Sequence, residues 1–371
     1  MKILCDRECF ANAFQMAASV APSRSPKAIL QNVKVVAREG VVSLSATDME
    51  IGINIDVSGV EIESEGAALL PVNRVNSILR ECRDEHITFE STDSGMKVKT
   101  ARSRFQLPSE DPDEFPHVES FSETKFHTVP TKAFRDLLKR TVVAADDESG
   151  RYALGGVLVE MEASCVTAVG TDGRRLATAA TYGDCNSGHA TIGTNTIVPS
   201  RSINLIERAL SDKDETVDIA ARDNDILIRS PRWMIVSRLV EGRYPNWRQV
   251  LPNTENHSSV MVNVGSFHAA LRQAAIMTSQ ESNGIEFTFG DGTMTLEAAS
   301  ADVGESRVEM PIDYSGEAVS VWMDHRYVSD ACKVLDAQES LTLYFESGTR
   351  PVLLTTEDGY RYVVMPMSRD R

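Results

Sequence analysis

Val169-Gly170-Thr171-Asp172-Gly173-Arg174-Arg175-Leu176-Ala177 reads as a strand, a tight turn and a second strand close to the middle of a 371-residue chain. Asp172-Gly173 supplies the turn. Asp-Gly between two strand-like runs favours a hairpin whose two central residues both take positive φ, a region open to Gly and reached by Asp more readily than by most residues. Alone, the stretch is a hairpin with two exposed arginines. Repetition gives it a larger meaning: Ser45-Ala46-Thr47-Asp48-Met49 stands 124 residues earlier and Glu297-Ala298-Ala299-Ser300 lies 128 later, each in the same relation to its own neighbours.

The chain outside the hairpin follows one plan three times. Phe10 to Val20 places Phe10, Ala13, Phe14, Ala17 and Ala18 on one side and Asn12, Gln15 and Ser19 on the other, which is helical spacing. The same opening returns at 134–143 and 267–277. Strands follow each time, as in Ile51, Ile53, Ile55 and Val57, which alternate with Gly52, Asn54 and Asp56 in the manner of a half-buried strand. A second helix is expected at 72–82 after Pro71, at 200–211 after Pro199 and at 324–335 after Met323. Proline suits a helix start because its missing N–H would be unpaired there. Further strands close each copy, the last of them over Tyr360 to Met367. A period near 125 residues is too long for a solenoid, so the copies are whole domains, expected at 1–121, 127–252 and 259–371. Polar linkers are expected at Glu119 to Lys125 and Asn253 to Ser259. The fold class is α+β, with antiparallel sheets and two helices on one face in each copy.

Composition is that of an ordinary globular chain, 42% hydrophobic and 25% charged. No apolar run reaches the length of a membrane span, and charge interrupts the N-terminus before a signal-peptide core can form, so a cytoplasmic location is expected. The six cysteines are scattered, without the spacing of a zinc site or a disulfide framework. Asn256-His257-Ser258 matches a glycosylation acceptor, by accident in the absence of a secretory signal. Phosphate loops, zinc-protease helices, nucleophile elbows and dinucleotide fingerprints do not occur. The acidic clusters Asp111-Asp113-Glu114 and Asp146-Asp147-Glu148 read as solvated loops, although a metal-dependent DNA enzyme would need such carboxylates. No catalytic residue, metal or cofactor is therefore expected.

A net charge of −16 argues against phosphate contact until its distribution is considered. The six helical segments 7–19, 72–82, 131–143, 200–211, 266–277 and 324–335 together hold 12 Lys and Arg against 6 Asp and Glu. Six such helices around one channel would make a positive hole in an acidic body.

Three tandem copies, Ser103-Arg104-Phe105, the hairpin quoted above, Leu239-Val240-Glu241-Gly242-Arg243-Tyr244-Pro245 and Tyr362-Val363-Val364-Met365-Pro366-Met367 together resemble the bacterial sliding clamp, the beta subunit of DNA polymerase III, from Met1 to Met367. The resemblance implies a head-to-tail homodimeric ring with helices lining the hole and sheets outside. It implies a processivity factor, not an enzyme, that encircles double-stranded DNA without sequence preference. Its partners would be replicative polymerase subunits, the clamp loader and other clamp-binding-motif proteins, with no membrane. The alternatives are a metal-dependent DNA enzyme and a repeat-built protein scaffold that never touches DNA.

The resemblance also assigns residues. Arg24, in the loop Ser23-Arg24-Ser25-Pro26, matches a DNA-contacting arginine, and Arg74, Arg80 and Arg201 match helix positions facing the hole. A pocket for a glutamine-containing peptide with two or three apolar residues is implied where the second and third copies meet. Leu154, Thr171, Gly173, Arg174, Arg175, Leu176, Pro245 and Val250 come from the second copy. The third provides Tyr327, Val363, Val364, Met365, Pro366 and Met367. Apolar residues would make the floor, methionine would repack around different ligands, and Arg175 would offer donors to a peptide carbonyl or carboxylate. Three departures stand out. Arg174 replaces a frequent histidine, Ser368 replaces a common arginine, and Asp147 and Glu148 make a DNA-side loop more acidic than is usual.

Overall fold

A computed structural model describes the chain except for residues 93, 147–151, 192, 212–213, 256, 280–282, 301 and 369–371; Asp147 and Glu148 lie outside the described residues. Among the described residues six α-helices occur at the expected places: α1 Arg7–Ala18, α2 Val72–Glu81, α3 Thr131–Val142, α4 Ser200–Ala209, α5 Val264–Ala274 and α6 His325–Lys333. Their starts have local causes. Asp6 accepts from the Cys9 N–H at the head of α1, Asn263 from Ser266 N–H on α5 and Asp324 from Arg326 N–H on α6, each satisfying a donor that the first turn leaves without a helical partner. Pro71 immediately precedes α2 and Pro199 lies just before α4. The buried faces repeat as well, with Phe10, Phe14 and Ala17 in α1 answered by Phe267, Ala270, Leu271 and Ala274 in α5.

Every strand pairing is antiparallel, and the strands gather in two units. The first unit comprises Met1–Lys132, Asp184–His189 and Leu205–Leu239. It holds a five-stranded sheet from Val60–Ser64 to Arg104–Leu107 and a nine-stranded sheet in which Trp233–Arg238 pairs with Ile51–Val57. Strands of the first and second copies thus meet edge to edge. Its core includes Phe10, Phe14, Phe89, Leu44 and Ile3, all fully buried, worth roughly 1.5–3 kcal/mol for each such side chain.

The second unit comprises Ala133–Gly183, Ala190–Asn204 and Val240–Arg371. It contains a four-stranded sheet from Gly304–Pro311 to Val319–Asp324, and an eight-stranded sheet in which Arg175–Tyr182 pairs with Arg361–Val364. Phe267, Phe287, Phe289, Phe345 and Tyr362 fill its interior, with the Phe289 and Phe345 rings stacked 4.0 Å apart.

Two local expectations are corrected. The closing strand ends at Val364 rather than Met367, since Pro366 has no N–H to continue a ladder. The hairpin is joined by three residues, 172–174, and only Gly173 takes positive φ, at 87°. Asp172 does not need it, because its carboxylate takes over the turn's hydrogen bonding.

Candidate functional site

The hairpin turn is held from inside. Asp172 Oδ1 accepts from Arg174 N–H at 2.8 Å and Arg175 N–H at 2.9 Å, an Asx turn that substitutes a side chain for a backbone acceptor. Thr171 Oγ1 accepts from Gly173 N–H at 3.1 Å and donates to the Arg175 carbonyl at 2.6 Å. Arg175 is held by bonds within the fold. Its Nε donates to Asp172 Oδ2 at 3.1 Å, its Nη1 donates to Asp330 Oδ2 at 2.6 Å and to the Tyr362 hydroxyl at 3.3 Å, and its guanidinium lies 4.5 Å from the Tyr327 ring centre. Burial works against its charge, but Tyr362, Asp330 and Asp172 outweigh burial and raise its pKa above the usual arginine value. With Nε and Nη1 committed and its side chain 12% exposed, Arg175 serves to fasten the hairpin to α6.

The Arg361–Val364 strand lies against this hairpin with Leu176 opposite Val363 and Arg175 opposite Val364. Tyr362, fully buried, donates its hydroxyl to the Tyr327 carbonyl at 2.9 Å. Beyond the strand, Met365 N–H reaches the Arg174 carbonyl at 2.9 Å and Met367 N–H the Trp322 carbonyl at 2.7 Å. Leu176 and Val363 belong to one buried cluster with Leu158, Val169, Ile197, Tyr244, Trp247 and Leu353. Leu154 and Thr171 are buried nearby in sequence, while Gly173, Arg174 and Pro245 are exposed and Tyr327 is half-buried. Two large apolar residues stay in water, Val250 at 41% exposure and Met365 at 40%. Buried apolar residues and exposed apolar residues thus both occur along the segments that meet at this strand.

Tyr244 and Trp247 are members of this buried cluster whose packing the sequence reading did not anticipate. Tyr244 is buried and donates its hydroxyl to the Val169 carbonyl at 2.9 Å. The signal was present in the aromatic-proline pair Tyr244-Pro245, since a buried Tyr seeks a partner for its hydroxyl.

The cationic positions occupy helices and one loop. Arg24 is exposed in its loop, and Arg74 and Arg80 share the exposed face of α2, opposite the buried Val75, Ile78 and Leu79. Arg80 pairs with its neighbour Glu81, both 74% exposed, a contact of small energetic weight. Arg201 and Arg208 lie on the exposed face of α4, and Lys132 and Lys139 are exposed on α3. The bias is not shared equally, because in α6 Arg326 pairs with Asp324 at 2.6 Å and Lys333 with Asp330 at 2.9 Å. Asp111 caps a short 3-10 turn through Asp113 N–H, and among the described residues no three His, Cys, Asp or Glu gather as a metal site.

Family models of the DNA polymerase III beta subunit match the chain three times, as the N-terminal domain over 1–119, the central domain over 128–246 and the C-terminal domain over 248–368. The chain belongs to the DNA polymerase III beta subunit family. The beta sliding clamp of Halalkalibacterium halodurans is 27% identical over 369 residues, 96% of each chain, and that of Chlamydia pneumoniae is 26% identical over 99% of each. Among solved structures, the Pseudomonas aeruginosa beta subunit has a TM-score of 0.90 at 25% identity, covering 99% of this chain and 100% of its own. The Pseudomonas aeruginosa sliding clamp bound to griselimycin has a TM-score of 0.91 at 25% identity, covering 99% of both. Members of this beta subunit family are clamps and not enzymes, which accounts for the absence of catalytic motifs noted in the sequence. The threefold clamp architecture expected from the sequence is the architecture of the family.

Proposed function

We propose that this chain performs the work of a DNA sliding clamp through three surfaces. Two copies close head to tail into a ring around double-stranded DNA, in the cytoplasm, each subunit made of clamp domains bounded at 1–121, 127–252 and 259–371. Replicative polymerase subunits, the clamp loader and other clamp-binding-motif proteins are held at the pocket formed by the hairpin, the 244–250 segment and the closing strand.

The observation that carries the pocket is the pairing of a buried floor, Leu176 and Val363, with the exposed rim residues Val250 and Met365. Arg175 acts there by positioning the hairpin, and Arg174 and Ser368 adjust the rim. For DNA, long cationic side chains at Arg24, Arg74, Arg80 and Arg201 would meet phosphates without reading bases.

Support for the dimer comes from two sheet edges. Arg104–Leu107 ends the five-stranded sheet and Gly304–Pro311 ends the four-stranded one, each with unpaired backbone groups that can accept another strand. Lys97, Lys99, Arg102 and Arg104 surround the first edge, with Glu90; Glu297, Asp302, Glu305 and Glu309 surround the second, with Arg307. Ile276, 67% exposed at the end of α5, and Val303, 47% exposed, add apolar surface beside the second edge. A heterologous contact between such unlike edges gives a ring when the rotation relating the copies closes, as the proposed dimer requires.

The pocket is tested by fluorescence anisotropy with a labelled Gln-Leu-x-Leu-Phe peptide. Met365→Asp should weaken binding at least tenfold, and undiminished affinity would place partner binding elsewhere.

A further inference from the structure

The turn at Thr171–Arg175 has a twin in the first unit. Thr47 Oγ1 donates to the Ile51 carbonyl at 2.8 Å and accepts from Met49 N–H at 2.9 Å. Asp48 Oδ1 accepts from Glu50 and Ile51 N–H at 3.0 and 2.8 Å. Met49, with φ 82°, stands in the place of Gly173. The following strand pairs Ile51 with Ser237 and Gly52 with Val236, as Arg175 pairs with Val364 and Leu176 with Val363. Arg238 N–H reaches the Glu50 carbonyl at 2.9 Å just as Met365 N–H reaches Arg174. Leu227 lies opposite Val236 as Leu353 lies opposite Val363. The junction of the first and second copies therefore repeats the docking floor strand for strand.

What covers the floor is shared at one position and different at the next: Trp247, three residues after Tyr244 as Val118 is after Phe115, is buried against Leu176 and Val363, and the difference begins beyond it. Gly52 stands where the pocket has Leu176, and a Cβ there would come within 2.9 Å of Val118 Cγ1. Val118 is buried in a cluster with Leu227 and Met234, and Phe121 and Val236 pack against it. The Asn54 side-chain amide donates to the Val118 and Glu119 carbonyls at 3.4 and 3.1 Å. Arg222 grips the same segment through Glu119 at 2.6 Å and Glu123 at 2.8 Å, and the Arg229 guanidinium stands 4.1 Å from the Phe121 ring centre. The expected polar linker is thus a strap fastened to the sheet. Six residues after its own aromatic-proline pair, as Phe121 is after Phe115-Pro116, the second junction has Val250 exposed, and Arg248 turns aside to Glu160 at 2.8 Å.

We propose that Val118 to Glu123 is a ligand in cis, which fills the first junction's copy of the partner pocket and is latched there by Arg222, so that each subunit presents one open docking site and one closed site of the same class. This rests on the reading of the second junction as the peptide pocket. The excluded ligand is an extended peptide with two apolar residues three apart and acidic neighbours, because Val118, Phe121, Glu119 and Glu123 are what the groove holds. The latch is electrostatic and partly exposed, so salt loosens it.

The test is calorimetric titration of the full-length protein with the Gln-Leu-x-Leu-Phe peptide. The wild type should bind one peptide per subunit, Leu176→Asp none, and the Phe121→Ala/Arg222→Ala variant two. Adding the latch substitutions to Leu176→Asp should restore one. A stoichiometry that stays at one in the latch variant, with no binding restored in the Leu176→Asp background, overturns the proposal. A wild type that binds no peptide instead overturns the pocket reading on which the proposal stands. Arg222→Ala alone removes no apolar contact and guards against misfolding: amide exchange over 117–125 should quicken at least tenfold, and an unchanged rate there counts against the latch.

Discussion

Arg175 ties the hairpin to its surroundings through three side chains. Its guanidinium joins Asp172, Asp330 and Tyr362, so Arg175→Ala leaves the partly buried Asp172 without its cation and Asp330 with Lys333 alone. A loss of about 2–3 kcal/mol is expected, from hydrogen bonds to charged groups, measurable by urea unfolding, and peptide affinity should fall with it because the hairpin loses its attachment. In the first unit, His127 and His189 are buried with their Nδ1 atoms 2.8 Å apart, and His189 Nε2 accepts from Ala221 N–H at 3.1 Å. Burial first, and then the neighbouring His127, hold the His189 pKa below its ordinary 6.5. Burial lowers the His268 and His325 pKa values as well. The unfolded chain then binds more protons than the native one below about pH 6.5, so stability must fall as pH drops through that range. The melting temperature should be lower at pH 5.5 than at pH 7.5, and His189→Gln should flatten the difference; an unaltered slope would exclude this pair as its source.

Helices and strands were legible where the cause is local. Pro71, Pro199 and Asp324 mark helix starts, and alternation in Ile51–Val57 marks a strand, because caps and burial patterns are written within a few residues. The turn at Asp172 was misread because a dipeptide cannot show that its own carboxylate would bind two N–H groups. The packing of Tyr244 and Trp247 with Leu176 and Val363, and the Arg175–Asp330 pair, were not legible for a different reason: their partners lie far away in sequence, and only the folded chain brings them together. The closing strand gives a prediction at this scale. Residues 340–345, 352–355 and 361–364 complete the sheet before Met365, so deleting Met365 to Arg371 should abolish peptide binding and leave the dimer intact. A truncated protein that still binds the peptide, or that dissociates, would contradict this division of labour.

At the scale of the whole molecule, a chain of net charge −16 has a local excess of cations on α2, α3 and α4, 8 Lys and Arg against 3 Asp and Glu, and the proposed DNA contact uses these helices and the loop that carries Arg24. Neutralising Arg24 and Arg80 together should weaken DNA binding equally on unrelated sequences and make the log–log salt dependence shallower by roughly 2; a sequence-dependent loss would argue against sliding. Ile276→Asp places charge on the apolar patch beside the Gly304–Pro311 edge and should shift the protein in sedimentation from twice the 40.7 kDa chain mass towards one. A ring also holds DNA by topology rather than by affinity. Protein loaded by a clamp loader onto nicked circular DNA should co-elute with it through gel filtration at a salt concentration that abolishes simple binding, and should be released when the circle is cut once. Equal retention on the circular and the linearised DNA would contradict the clamp.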